Sequence, residues 1–262
     1  MKTVMITGAA GLVGSALREH LRAHYRLVLL DRVAIAPLAE RETAVTSDIR
    51  DAAALLSAMQ GVDAVVHLAG EPTETDWPAI LGANIDGCYQ TVEAARLAGV
   101  RRFVFASSNH AIGYHARSEK LDETCATRPD TRYGLSKVFG ESLLRLYADK
   151  FGLTSVCLRI GTLLRPDAPR ELRHLSTWVS HRDLAQLVRC SIEADIVYEI
   201  AWGVSANTRS WWRDQSAERL GYHPVDNAET FAAQFGERDA AADDPVALAH
   251  QGGVFCSWER ER

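Results

Sequence analysis

The chain has 262 residues, 47% hydrophobic and 24% charged, the proportions of a folded soluble protein of one α/β domain or a domain with a small cap. A formal net charge of -5 without any clustered Lys/Arg stripe excludes nucleic acid as an expected partner, and no apolar run approaches the ~20 residues of a membrane span. Five scattered cysteines (Cys88, Cys125, Cys157, Cys190, Cys256) lack C-x-x-C spacing, which argues against a disulfide framework or structural zinc and for a reducing, cytoplasmic setting.

Residues 2–6 form a short apolar strand, and no leader is expected ahead of it. Residues 8–14 are punctuated by glycine, and 15–24 continue with helical spacing. The next strand is 26–30, ending at Asp31; a third short strand, 43–46, precedes Asp48, and 51–59 is a short helix. A buried strand spans 63–68 and runs into Ala69-Gly70. Residues 80–97 fit a long helix stopped by Gly99, followed by the strand 101–106 and Ser107-Ser108. Helix 130–151 stops at Gly152, and strand 154–159 follows. Strands alternating with helices predict a Rossmann-type doubly wound parallel sheet. After Ile160 the rhythm breaks: 161–176 is irregular, 181–194 reads as a helix and 197–201 as one more strand. The division expected is a dinucleotide-binding core over 1–160 and a small C-terminal substrate-side lobe over 161–262, interleaved as one compact unit.

Thr7-Gly8-Ala9-Ala10-Gly11-Leu12-Val13-Gly14 fits T-G-x-x-G-x-x-G between the first strand and first helix. Glycines there permit a tight turn and let the amides around Leu12 and Val13 approach a pyrophosphate at a helix N-terminus. Asp31, 17 residues beyond Gly14, is placed to bond the adenosine ribose and to repel a 2′-phosphate, so NAD is favoured over NADP; Arg32 beside it could accept that phosphate. Asp48-Ile49 could hold the adenine, or Asp48 could simply cap the helix after it. Leu68-Ala69-Gly70, after the fourth strand, are further candidates for the cofactor wall.

Tyr133 and Lys137, in Tyr133-Gly134-Leu135-Ser136-Lys137, stand one helical turn apart, and the chain has only four lysines. An ammonium there can stabilise a phenolate, lowering the tyrosine pKa from about 10 and making it a general base for an alcohol proton. The alternative is an exposed aromatic beside a solvated Lys.

Together these residues resemble the extended short-chain dehydrogenase/reductase family, in which a catalytic serine precedes the tyrosine by about 25 residues, as Ser108 precedes Tyr133. The resemblance implies that Ser108 binds the reacting oxygen, that Tyr133 is the acid/base, and that Lys137 holds Tyr133 and the nicotinamide ribose. Asn84, in Asn84-Ile85-Asp86-Gly87, is similar to the helix asparagine that supports such sites. A narrower resemblance is to the uronate dehydrogenases. It rests on Phe105-Ala106-Ser107-Ser108-Asn109-His110, Ile112-Gly113-Tyr114, Arg128-Pro129-Asp130, Arg159-Ile160-Gly161, Leu175-Ser176-Thr177-Trp178 and Gln251-Gly252-Gly253. It implies NAD-dependent oxidation of C1 of D-glucuronate or D-galacturonate to an aldarolactone, with no metal. It also implies that Arg173 binds the substrate carboxylate; spacing alone does not choose it over Arg170 or Arg165. Asn109, His110, Thr162 and Thr73 are the remaining candidates for the sugar, and Trp178, Trp211 and Trp212 are either a sugar platform or lobe packing. A homo-oligomer is expected. Two other readings share Ser108, Tyr133 and Lys137: a sugar-nucleotide epimerase or dehydratase with tightly held NAD, and a non-catalytic NAD-dependent sensor.

Overall fold

A computed structural model describes residues 1–213, 215–236 and 243–258. Seven parallel strands form one sheet in the order β3-β2-β1-β4-β5-β6-β7. They are β1 (Thr3–Thr7), β2 (Arg26–Asp31), β3 (Glu42–Thr46), β4 (Ala64–His67), β5 (Arg102–Ser108), β6 (Thr154–Ile160) and β7 (Tyr198–Gly203). The central strands are buried along almost their whole length because helices cover both faces, the pattern expected of a parallel sheet.

Alternation sorts these side chains into two cores. Val4, Ile6, Leu27, Leu29, Val66 and Val156 pack on one face with Leu17 and Leu21 of α1 (Leu12–Leu21). Later in the chain, Leu184 and Leu187 join them from the helix His181–Glu193. Met5, Leu30, Val65, Phe103, Phe105 and Cys157 point the other way. They meet Leu55 of α2 (Ala52–Ala58) and, beyond it, Val92 and Leu144. Each fully buried Leu or Phe contributes roughly 2–3 kcal/mol.

The chain winds outward from β1 to β3, then returns to β4 on the other side of β1. The crevice beyond the carboxyl ends of β1 and β4 is therefore the switch point where such folds bind ligands.

Three elements differ from expectation. Helix α1 begins at Leu12, inside the glycine motif, because Gly11 is already its N-cap. The long helix expected over 80–97 starts earlier as α3 (Trp77–Ile80), where the Asp76 carboxylate accepts from Ala79 N at 2.9 Å and Pro78 lies in the first turn. It then widens into a π-helical turn (Leu81–Asp86) before α4 (Gly87–Leu97). The helix α5 (Arg132–Phe151) starts at Arg132 because Thr131 caps it, its hydroxyl accepting from Gly134 N at 3.0 Å.

After β6 come the short α6 (His174–Thr177), α7 (His181–Glu193), and β7, which pairs with β6 and completes the sheet. Among the described residues no helix is long and apolar enough to cross a membrane.

Candidate active site

A cavity of about 790 Å³ occupies the switch-point crevice. Gly8, Gly11, Leu12, Val13 and Gly14 wall it after β1, Asp31 after β2, Asp48 and Ile49 after β3, and Leu68, Ala69 and Gly70 after β4. Gly8 has φ +71°, and a Cβ on it would stand 2.7 Å from Ala69 N; one on Gly14 would overlap the carbonyl of Gly8. The turn thus closes tightly on both its neighbours and leaves the Gly11 N-cap with no side-chain bond across the first amides of α1. Open amides at a helix start, flanked by a carboxylate at the end of β2, fit a dinucleotide. Asp31 is itself steadied, accepting from Ala10 N at 2.9 Å and Val33 N at 3.2 Å.

Asp48 is not a helix cap. Asp51 caps α2 by accepting from Ala54 N at 3.0 Å, whereas Asp48 receives the Arg50 guanidinium at 2.7 and 3.0 Å, which holds its carboxyl down at about 2. Asn84 does not line the cavity. It is buried in the π-turn, where Oδ1 accepts from Glu71 N at 2.7 Å and Nδ2 donates to Glu71 O and Ser136 Oγ. It fastens the loop after β4 to α5, acting behind the wall and not in it.

Ser108, at the end of β5, and Tyr133 and Lys137, one turn apart on the buried face of α5, border the inner end of this cavity. The helix lies close because two glycines leave room: a Cβ on Gly140 would overlap the Phe105 ring, and one on Gly134 the His110 carbonyl. The Ser108 hydroxyl is close enough to the Tyr133 phenol to favour its ionised form. Lys137 does not reach the phenol; its ammonium donates to Ala106 O at 2.9 Å and lies 5.3 Å from the Tyr133 ring centre. The expected lowering of the tyrosine pKa is not found. Burial pushes Tyr133 up to about 12, the Ser108 hydroxyl lowering it and the Asp130 charge raising it by lesser amounts, and burial brings Lys137 down to about 8. Desolvation is the largest influence on both groups.

A second cavity, of about 450 Å³, meets the first at Ser108, Tyr133, Gly161 and Leu163. Asn109, His110, Thr162 and Arg173 all line it; Arg165 and Arg170 do not. Arg173 donates to Gln251 O at 2.7 and 3.2 Å, and with its amide oxygen facing the guanidinium Asn109 accepts at 3.1 Å. No carboxylate among the described residues pairs with Arg173. Its pKa falls to about 10, first through burial and then through the nearby Arg117 cation.

Thr73 lines neither cavity and is exposed; its neighbours Glu71 and Pro72 are wall residues instead. The reason is Glu74, which accepts from Tyr133 N at 2.8 Å and Arg132 Nε at 2.6 Å and so pins the loop to the start of α5. The tryptophans form no sugar platform. Trp212 stacks on Trp202 at 4.7 Å, Trp178 packs against Phe231, and neither they nor Trp211 lines the second cavity. Wall residues that sequence reading missed are Arg117, Glu171, His174 and the segment 252–255. Only Gly252 and Gly253, as a glycine pair near the end, carried any signal.

The architecture agrees with the comparisons to known proteins. The model of the NAD dependent epimerase/dehydratase family matches residues 4–212. A uronate dehydrogenase of Pseudomonas putida is 40% identical, over 96% of this chain and 94% of its own length. An NAD-dependent glucose-6-phosphate dehydrogenase of Haloferax volcanii is also 40% identical, over 91% of this chain and 98% of its own. In structure, a mutant uronate dehydrogenase from Agrobacterium tumefaciens complexed with NAD superposes with a TM-score of 0.92 at 39% identity, covering 98% of this chain and 97% of that one. The chain therefore belongs to the NAD-dependent epimerase/dehydratase family, as an oxidoreductase of its uronate dehydrogenase branch.

Proposed function

We propose that the protein oxidises C1 of a cyclic hexuronate, D-glucuronate or D-galacturonate, to the aldarolactone. The observation that carries this is Arg173: a recessed guanidinium with no carboxylate partner among the described residues, in a cavity that opens onto Ser108 and Tyr133. A cation with no carboxylate in contact, in a desolvated wall, favours an anionic ligand, and a planar fork of donors suits a carboxylate.

NAD bound along the first cavity supplies the hydride acceptor. The chain's residues do the rest. Arg173 holds the carboxylate, while Asn109, His110 and Thr162 border the sugar ring. Ser108 donates to the oxygen on C1, and Tyr133 takes the C1 hydroxyl proton as the carbonyl forms. With its pKa near 12 in the ligand-free protein, Tyr133 needs its phenolate stabilised when the site fills. The Ser108 hydroxyl and the Lys137 ammonium are the groups present to do so.

The Haloferax relative supports a second reading, in which the anion at C6 is a phosphate. Both readings keep C1 oxidation. Three uronate dehydrogenases among the relatives, each about 40% identical, favour the carboxylate. A homo-oligomer is part of the proposal. It is supported by the exposed Leu135, Leu146 and Phe151 along α5 and Tyr89 on α4, and a monomeric sedimentation coefficient would remove it.

The test is NADH formation with NAD and, separately, D-glucuronate, D-galacturonate, D-glucose 6-phosphate, D-glucose and UDP-galactose. Rapid turnover of the uronates supports the reading. Silence on both uronates refutes it, and NAD retained through purification without added cofactor would point to the epimerase or sensor reading.

A further inference from the structure

Asp130 lies just before α5, and nothing in the proposed chemistry uses it. Its side chain is fully enclosed by three separate segments. A Cβ on Gly113 or Gly252 would overlap its carboxylate, and one on Gly134 would stand 3.1 Å from it. Oδ2 lies 2.7 Å from His110 Nδ1, and Oδ1 accepts from the Thr131 hydroxyl at 3.0 Å. The two residues are joined a second time, Asp130 N donating to His110 O at 3.3 Å. The His110 ring is clamped flat on Phe255, centres 3.8 Å apart, and meets the Tyr133 ring edge-on at 5.9 Å. Among the described residues its Nε2 has no partner, although the side chain is nearly buried and lines the second cavity.

An ionised carboxylate only accepts hydrogen bonds, so the proton between Asp130 and His110 belongs to the imidazole, on Nδ1. Phe255 prevents the ring from turning away. We propose that Asp130 is a positioning residue: it holds His110 in the Nδ1–H form, so that Nε2 offers the substrate a hydrogen-bond acceptor for a ring hydroxyl. This rests on the reading that the second cavity takes a sugar. An asparagine in the same socket could present either an oxygen or an amide to Nδ1, and would leave the tautomer free. Acceptors fixed in this way give selectivity, because a substrate lacking the hydroxyl leaves the buried nitrogen unpaired.

The experiment is nitrogen–proton correlation NMR of the imidazole rings in the full chain at about pH 8, above the ordinary imidazole range. The His110 signals are identified by their loss in His110→Asn. We expect Nδ1 protonated and Nε2 bare in the wild type, and a shifted or mixed tautomer in Asp130→Asn, whose amide keeps the shape and the Thr131 contact. In that variant kcat/KM for D-glucuronate should fall about 10–100-fold, mainly through KM, with KM for NAD unchanged. A wild-type ring protonated on Nε2 overturns the proposal, whether or not the variant folds. So does Asp130→Asn with wild-type kcat/KM, or with losses that only track the amount of folded protein. The spectrum needs no substrate, so failure of this proposal is distinguishable from failure of the uronate reading.

Discussion

Replacing Arg173 with alanine tests the anion site directly. The guanidinium is charged at neutral pH even with its pKa lowered to about 10. It is also recessed enough that a carboxylate bound to it would be largely shielded from water. Two charge-assisted hydrogen bonds at roughly 1.5–3 kcal/mol each give an upper bound of about 6 kcal/mol. Arg173 already spends donors on Gln251 O and Asn109, and its side chain retains some exposure to the cavity. That brings the expected loss to about 3–4 kcal/mol, or roughly 10²–10³-fold in kcat/KM for D-glucuronate at 1.4 kcal/mol per tenfold. The control lies in the substrate. D-Glucose lacks the carboxylate, so its own slow turnover should hardly change, and the ratio of uronate to glucose kcat/KM should collapse. An equal fall for both substrates would mean that Arg173 acts only by holding the C-terminal segment through Gln251. Unaltered uronate turnover would remove the anion clamp altogether.

Tyr133→Phe keeps the ring and its packing but removes the base; kcat should fall about 10²–10⁴-fold, while NADH binding, followed by its fluorescence, persists. Turnover within a factor of a few of wild type would leave the mechanism without its acid/base. Gly14→Ala drives a methyl into the Gly8 carbonyl and Ala9, so KM for NAD should rise at least about tenfold and Tm should drop. A normal NAD affinity would show that the turn does not need that close approach. His67 is buried against Thr7, and burial, then the Lys137 charge, lowers its pKa to about 3. Between about pH 6.5 and 3 the unfolded chain binds a proton that the folded chain refuses, so stability is present above 6.5 and is lost as pH falls, by about 1.4 kcal/mol per unit. His67→Asn, which cannot titrate, should flatten the acid limb of Tm against pH; an unchanged limb would locate acid sensitivity elsewhere.

What was legible in the sequence is what local chemistry dictates. A glycine turn between strand and helix, an acid at the end of the second strand and a Tyr-x-x-x-Lys turn each follow from spacing, and the structure brings all of them to one cavity. The electrostatic consequence of the last was not legible. Spacing says that Tyr133 and Lys137 share a face, but the ammonium is drawn to the Ala106 carbonyl and both groups are desolvated, which reverses the expected shift of the phenol. Thr73 failed for a similar reason. Its loop is registered by Glu74 on the amide of Tyr133 and by Asn84 on Glu71, contacts across 59 and 13 residues that no local pattern encodes.

The substrate half of the site depends on such long-range contacts throughout. Arg173 is held by a backbone carbonyl of Gln251, whose side-chain oxygen accepts from Trp212 Nε1 at 2.8 Å. Trp212 stacks on Trp202, and Trp202 lies under the Arg159 guanidinium. Arg159 forms a buried fork with Glu141 at 2.9 Å, and Glu141 accepts from Ser107, the residue before Ser108. Trp212 and Trp202 thus connect Arg173 to β5. A buried Arg–Glu fork is weak evidence of added stability, since removing either partner strands the other's charge. Its contribution here is geometric. It ties β5, α5 and β6 in one register behind Ser108 and Tyr133.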